Sequence, residues 1–218
     1  MIRRGIPAFG GDSDTEIKIL DAATELFTLN GFDAVSMNDI AKAVGIKTAS
    51  IYYYFDGKKA LGKVVMSRFE ATYKKYFEWL SGINSEAVSL DELMDNMFNE
   101  EFLNMLNLVA CFGMSLALRE QHSNENARRC VFELFYNDGI KLLQEGFDRL
   151  IEKHVIPQSD TKTLATLFMF SVLCGNDIRI HEYVGIKAPI DCKDLYSGLR
   201  KILAAALTQG NIKANTGE

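Results

Sequence analysis

Proline is almost absent from this 218-residue chain, occurring only at positions 7, 157 and 189. Long helices are therefore permitted over most of its length, because little removes a backbone donor or clashes with a preceding turn. No stretch alternates apolar and polar residues over a useful length, which argues against half-buried strands. No segment holds eighteen uninterrupted apolar residues, and the opening MIRRGIPAFGGDSD lacks an apolar run of signal-peptide length. Neither a membrane partner nor a leader is expected, and a cytoplasmic location is. The four cysteines (Cys111, Cys130, Cys174, Cys192) form no CxxC pair, and the three histidines (His122, His154, His181) show no zinc-ligand spacing. No metal or other cofactor is expected. Cys111 and Cys174 lie in apolar runs and are expected to be small buried hydrophobes. Nucleophile–base pairs and Gly-rich phosphate loops are missing too, so no enzyme is expected.

What the chain does have is hydrophobic content of 48%, enough for a real core, and apolar residues recurring every three and four positions. Ile19, Ala22, Ala23, Leu26 and Phe27 make such a stripe. The spacing returns in Leu61–Leu80, Leu90–Leu106, Val131–Ile151, Thr163–His181 and Asp191–Leu207, with breaks at SGINSEAVS, HSNEN, HVIPQSD and VGIKAPID. The fold class is all-α. The helices of the first sixty residues are short (14–30, 36–44 and 47–55), whereas later ones are long. The expected division is a flexible arm over 1–13, a DNA-binding domain over 14–60, a larger helical ligand-binding and dimerisation domain over 61–210, and a tail over 211–218.

The short helices carry the most specific signal. Gly31 suits a left-handed cap for the first helix. Ser36 with Asp39 three residues on approaches a capping box, and Ile40, Ala41 and Val44 form an inward face. Gly45 suits a tight turn at positive φ, with Ile46 plugging it and Lys47 or Thr48 opening a third helix. Two short helices joined by a three-residue turn containing glycine match a helix-turn-helix. On the third helix, in GIKTASIYYYF, Ile51 and Phe55 share the core side. Lys47, Thr48, Ser50, Tyr52, Tyr53 and Tyr54 are spread around the rest. A phenol at the groove edge can donate to a phosphate while its ring packs on a sugar or thymine methyl, and small Ala49 permits close approach. One of the three tyrosines is expected to pack against neighbouring helices instead. From Ser36 to Lys75 there are eight cations against three carboxylates, a local charge of +5 inside a chain of −5. Lys58 and Lys59 open the next helix, where free backbone N–H groups favour an anion.

The segment ILDAATELFTLNGFDAVSMNDIAKAVGIKTASIYYYFDGKKAL resembles the DNA-binding module of the TetR family of bacterial transcriptional regulators over about fifty residues. The family's first-helix pattern stands as AATELFTLNGF, its second as SMNDIAKAVGI and its tyrosine signature as IYYYFDGKKAL. The resemblance implies that Ser36 contacts phosphate and Asn38 reaches a base edge. It implies that Lys47, Thr48, Ala49 and Tyr52 face bases, while Ser50, Tyr53, Tyr54 and Lys58 hold the backbone. Three departures stand out: Lys47 replaces the usual Ser or Thr, Ala49 the usual Gly, and Asp56-Gly57 a Pro-Ser-like pair. The first bears on how the third helix is capped.

After about Lys63 the resemblance holds only in outline, implying a ligand pocket and a two-fold dimer interface. Methionine and aromatic residues crowd this part, and they adapt to irregular apolar guests as readily as they fill cores. Trp79, Phe98, Met105, Phe112, Phe135 and Phe168 are the candidate ligand contacts, for an apolar or aromatic effector. The last two long helices are the expected homodimer pair, with small residues in SVLCGND and LAAAL permitting close approach. The function expected is a ligand-responsive DNA-binding regulator, a repressor released from operator DNA by its effector. An activator, an all-helical interaction protein and a helical enzyme are the alternatives.

Overall fold

A computed structural model describes residues 14–86, 89–98 and 108–209. The expected arm (1–13), the tail (211–218), the side chain of Phe98, and Met105 lie outside the described residues. Among those residues the chain forms ten α-helices, one π-helix and no strand, and it is about 81% helical, so the all-α class holds. The helices are α1 (Asp14–Asn30), α2 (Met37–Val44), α3 (Thr48–Tyr54), α4 (Lys58–Glu86), α5 (Leu90–Phe98), α6 (Leu108–Glu120) and α7 (Glu125–Arg129). A π-helix (Cys130–Gly139) follows, then α8 (Ile140–Glu152), α9 (Thr161–Tyr183) and α10 (Cys192–Gln209). The residues fall into two compact units, one drawn from Met1–Thr72 and Asn107–Val131, the other from Tyr73–Leu106 and Phe132–Glu218.

The first unit contains the helix-turn-helix. Its core takes Ile19, Ala23 and Phe27 from α1, Ile40 and Ala41 from α2, Ile51 from α3, and Leu61, Val65 and Phe69 from α4, all nearly or fully buried. Each of the Ile, Leu, Val and Phe side chains among these contributes ~1.5–3 kcal/mol on leaving water. Helix α6 packs on α1. No periodicity marks α6 in the sequence, because Ala110, Cys111, Phe112, Met114, Leu116 and Ala117 make it apolar nearly all round and it is buried accordingly. Its presence explains why α1 also buries Thr24 and Thr28. The Thr28 hydroxyl donates to the Phe112 carbonyl at 2.9 Å.

In the second unit, Asp160 caps α9 by accepting from the Thr163 N–H at 3.0 Å. That bond, first among its contacts, holds the Asp160 carboxyl below its ordinary range. Leu164, Phe168 and Val172 form the buried side of α9. By length and a mean hydropathy of 1.2, α9 is apolar enough to cross a membrane, although here it packs against α8 and α10. Buried Asn176 donates its amide to the Tyr73 hydroxyl at 2.8 Å. Cys111 is buried as expected, but Cys174 is exposed: it lies on the outward side of α9, away from the residues that seal the core.

Candidate nucleic-acid interface

The turn that presents α3 is built locally. Ser36 is the N-cap of α2, with its hydroxyl accepting from the Asp39 N–H at 3.2 Å and the Asp39 carboxylate accepting from the Ser36 N–H at 3.0 Å. The expected capping box is therefore complete. Hydrogen bonds from the Ser36 hydroxyl and then its backbone hold the Asp39 carboxyl below its ordinary range. Gly45 closes α2 at φ +81°, a conformation that costs other residues strain, and its N–H returns to the Ala41 carbonyl. Gly31 ends α1 at φ +89°.

Lys47 is the N-cap of α3, and its side chain makes no capping bond. The missing Ser or Thr cap thus leaves the Lys47 ammonium exposed rather than folded onto the helix. Ile51 and Phe55 are buried as expected, at 0% and 5% exposure. On the other side Tyr52 is 54% exposed and Tyr53 84%, beside exposed Ala49 and Ser50 and half-buried Thr48. Tyr54 is the half-buried tyrosine, its ring edge-on to Tyr53 at 5.1 Å and 6.5 Å from Phe55. From α2, exposed Ser36 and Asn38 join the same module. The Thr48 hydroxyl donates to Asn38 Oδ1 at 3.1 Å, which fixes the amide across the turn.

Lys58 is committed elsewhere. Its Nζ donates to the carbonyls of Phe32 (3.0 Å), Asp33 (3.2 Å) and Val35 (3.0 Å), and lies 4.8 Å from the centre of the Phe32 ring. An ammonium has three N–H donors, and all three are spent on the α1–α2 loop. In this arrangement Lys58 braces the loop, and a phosphate would compete with three carbonyls for its donors. Two further residues hold that loop without any signal in the local sequence. Glu120 Oε1 accepts from the Phe32 N–H at 3.3 Å, and Arg119 Nη1 donates to the Thr28 carbonyl at 3.2 Å, each about ninety residues away along the chain.

A helix-turn-helix with a polar, tyrosine-bearing second helix turned to solvent is the arrangement of the bacterial regulatory proteins of the tetR family, whose family model matches residues 19–64. Across 149 residues the chain is 30% identical to the negative transcriptional regulator IcaR of the biofilm operon icaADBC in Staphylococcus aureus, covering 62% of this chain and 76% of that protein. The chain belongs to the TetR family. It is accordingly a DNA-binding transcriptional regulator. The fold agrees over most of the chain. Salmonella enterica GusR superposes with a TM-score of 0.59 at 19% identity, over 89% of this chain and 95% of that one. Bacillus subtilis FadR in complex with stearoyl-CoA gives 0.54 at 20% identity, over 89% and 98%.

Four of the candidate ligand contacts of this TetR-family chain have described side chains. Phe112 belongs to the first unit, where it is fully buried against α1. Phe135 and Phe168 are fully buried in the second unit, and Trp79 is half-buried there with its ring 6.5 Å from Tyr76. None of the four lines either of two cavities found in the units. One of these lies in the second unit among charged Lys74, Glu78, Asp138, Lys141 and Glu145, the other in the first unit.

Proposed function

We propose that this regulator is a homodimeric repressor that reads operator DNA with α3 and the start of α2, and leaves it when a small apolar or aromatic effector binds. The observation that carries the DNA reading is the exposure of Tyr52 and Tyr53 on a helix whose opposite side is sealed by Ile51 and Phe55. In this reading Lys47, Thr48, Ala49 and Tyr52 face bases, and Ser36, Ser50, Tyr53 and Tyr54 hold the phosphate backbone. Asn38 accepts from Thr48 through Oδ1, so its amide N–H groups are the atoms offered to a base edge, suiting a purine acceptor. Lys58 drops out of the set. It braces the loop that sets the angle of α2 instead.

Repression is supported by the likeness to IcaR, a negative regulator. An apolar effector is supported by FadR, whose complex holds stearoyl-CoA on the same fold. Dimerisation is supported by two exposed apolar patches, Leu167, Phe170 and Cys174 on α9 and Ile202 and Ala205 on α10. Gly175, expected to admit a partner helix, instead admits its own chain: a Cβ there would meet the Tyr196 hydroxyl at 2.0 Å. A protein reading its operator works in the cytoplasm beside the chromosome. The effector acts by its differential affinity for the two placements of the reading helices.

The test is binding of the purified protein to the intergenic DNA beside its own gene, titrated with salt and with a scrambled competitor. Binding that survives the competitor and weakens with a logarithmic slope of about −0.9 per phosphate contact is expected. Binding no better than to scrambled DNA, across that region and a library of genomic fragments, overturns the operator reading. A stable monomer at micromolar concentration in sedimentation overturns the dimer.

A further inference from the structure

The cavity in the first unit holds about 200 Å³ and lies among α1, α4, α6 and α7. Phe27, Phe32, Met66 and Leu116 give it apolar walls, and Lys59 and Lys63 stand at its rim. The two lysines are four residues apart on α4, so their ammonium groups reach the same side. Both are exposed, and neither has a hydrogen-bond or ion-pair partner among the described residues. One carboxylate lines the cavity, Glu120, and its Oε1 is already held by the Phe32 N–H. The lining therefore carries one net positive charge over an apolar floor. A pocket of that kind recognises an apolar body with a single anionic group. An apolar cavity of ~150 Å³ admits benzene. A bicyclic arene or a short acyl chain therefore fits here, whereas a helix ~10 Å across does not.

We infer that this cavity is a binding site for a small apolar monocarboxylate, a bicyclic aromatic acid or a short-chain acid, whose occupant acts on the DNA-reading helices through Phe32. The inference deepens the effector-responsive reading above and rests on it for the consequence at DNA, though not for binding itself. Phe32 joins the two sites. Its ring walls the cavity 4.9 Å from the Phe27 ring and rests on the backbone of α4, where a Cβ at Gly62 would meet it at 2.7 Å. Its carbonyl accepts from Lys58, and its N–H donates to Glu120. Four residues further on, Ser36 caps α2. A guest that displaces the Phe32 ring pulls on both of those bonds and so on the loop that enters α2.

The experiment titrates the full chain, without DNA, with 1-naphthoate and with its neutral counterpart 1-naphthamide by calorimetry. One naphthoate per chain is expected, with the amide at least about tenfold weaker, as a charge-assisted contact implies. The exposed double variant Lys59→Gln/Lys63→Gln is expected to bring naphthoate down to the affinity of the amide, and Met66→Phe to weaken both probes by filling the cavity. Equal affinity of the two probes for the unaltered chain, or naphthoate binding unchanged in the lysine variant, overturns the site. DNA affinity is then measured with and without saturating naphthoate. A shift supports the route through Phe32. Naphthoate that binds as described and leaves DNA affinity unmoved overturns that route while the site stands, and a failure to bind DNA at all counts against the operator reading alone.

Discussion

Helices α3 and α9 both bury one side and expose the other, yet what they expose differs in kind. Helix α3 is seven residues long, too short to hold itself together in water, and it exists because a glycine turn and two core anchors place it. The exposed side then carries hydroxyls and an ammonium, which suit phosphate and base edges. Helix α9 runs twenty-three residues and seals the second unit with Leu164, Phe168 and Val172. It turns Leu167, Phe170 and Cys174 outward, which suit another protein surface. In the proposed reading the short helix with polar tips reads DNA, whereas the long helix, apolar on both sides, packs twice.

The largest effect expected from breaking either helix is on α9. Phe168→Ala removes a fully buried ring and is expected to cost ~3–5 kcal/mol in chemical denaturation, leaving DNA affinity of the folded protein unchanged. A loss under ~1 kcal/mol would mean that the second unit collapses around the gap. Next comes the pair of lysines flanking α3. Lys58→Ala strips donors from three carbonyls and is expected to cost ~1–3 kcal/mol of stability with the salt slope of DNA binding unaltered. If that slope falls by about one instead, Lys58 serves a phosphate after all. Ser36→Ala opens the capping box, for an expected loss of ~1 kcal/mol read by thermal denaturation. Lys47→Ala, exposed and uncapped, is expected to change stability by under ~0.5 kcal/mol while relaxing sequence preference between operator and mutated operator. The smallest effect is pH-dependent. Asp39 titrates below its ordinary range in the folded state, so the stability it adds is present at neutral pH and above the unfolded carboxyl's value, and is lost as pH falls through the folded one. Asp39→Asn is therefore expected to flatten the acid limb of the stability curve, and identical acid limbs would remove the capping box as its cause.

The DNA-reading helices were legible in the sequence because their determinants lie within a few residues of one another. Ser36 and Asp39, Gly45, and the spacing of Ile51 and Phe55 each fix a turn or a side locally, and the structure places each as that logic demands. Helix α6 was not legible. It breaks no pattern because it has none, being buried nearly all round, and only its packing on α1 declares it a helix of the first unit. Unit membership was not legible either: Phe112 and Phe135 carry the same side chain in the same kind of apolar run, yet they fall in different units.

Some properties follow from the order of residues alone. Scarce proline and three-to-four periodicity make the chain helical, and local caps make its helix-turn-helix. These depend on backbone hydrogen bonds and contacts spanning a single turn. Other properties arise from contacts between residues decades apart in the chain. Lys58 became a brace for the loop, Gly175 became a seat for Tyr196, and the lysine-rimmed cavity formed where α1 and α4 meet α6 and α7. No periodicity encodes which distant carbonyl an ammonium will find, because that is settled by how the helices stack once their apolar sides leave water.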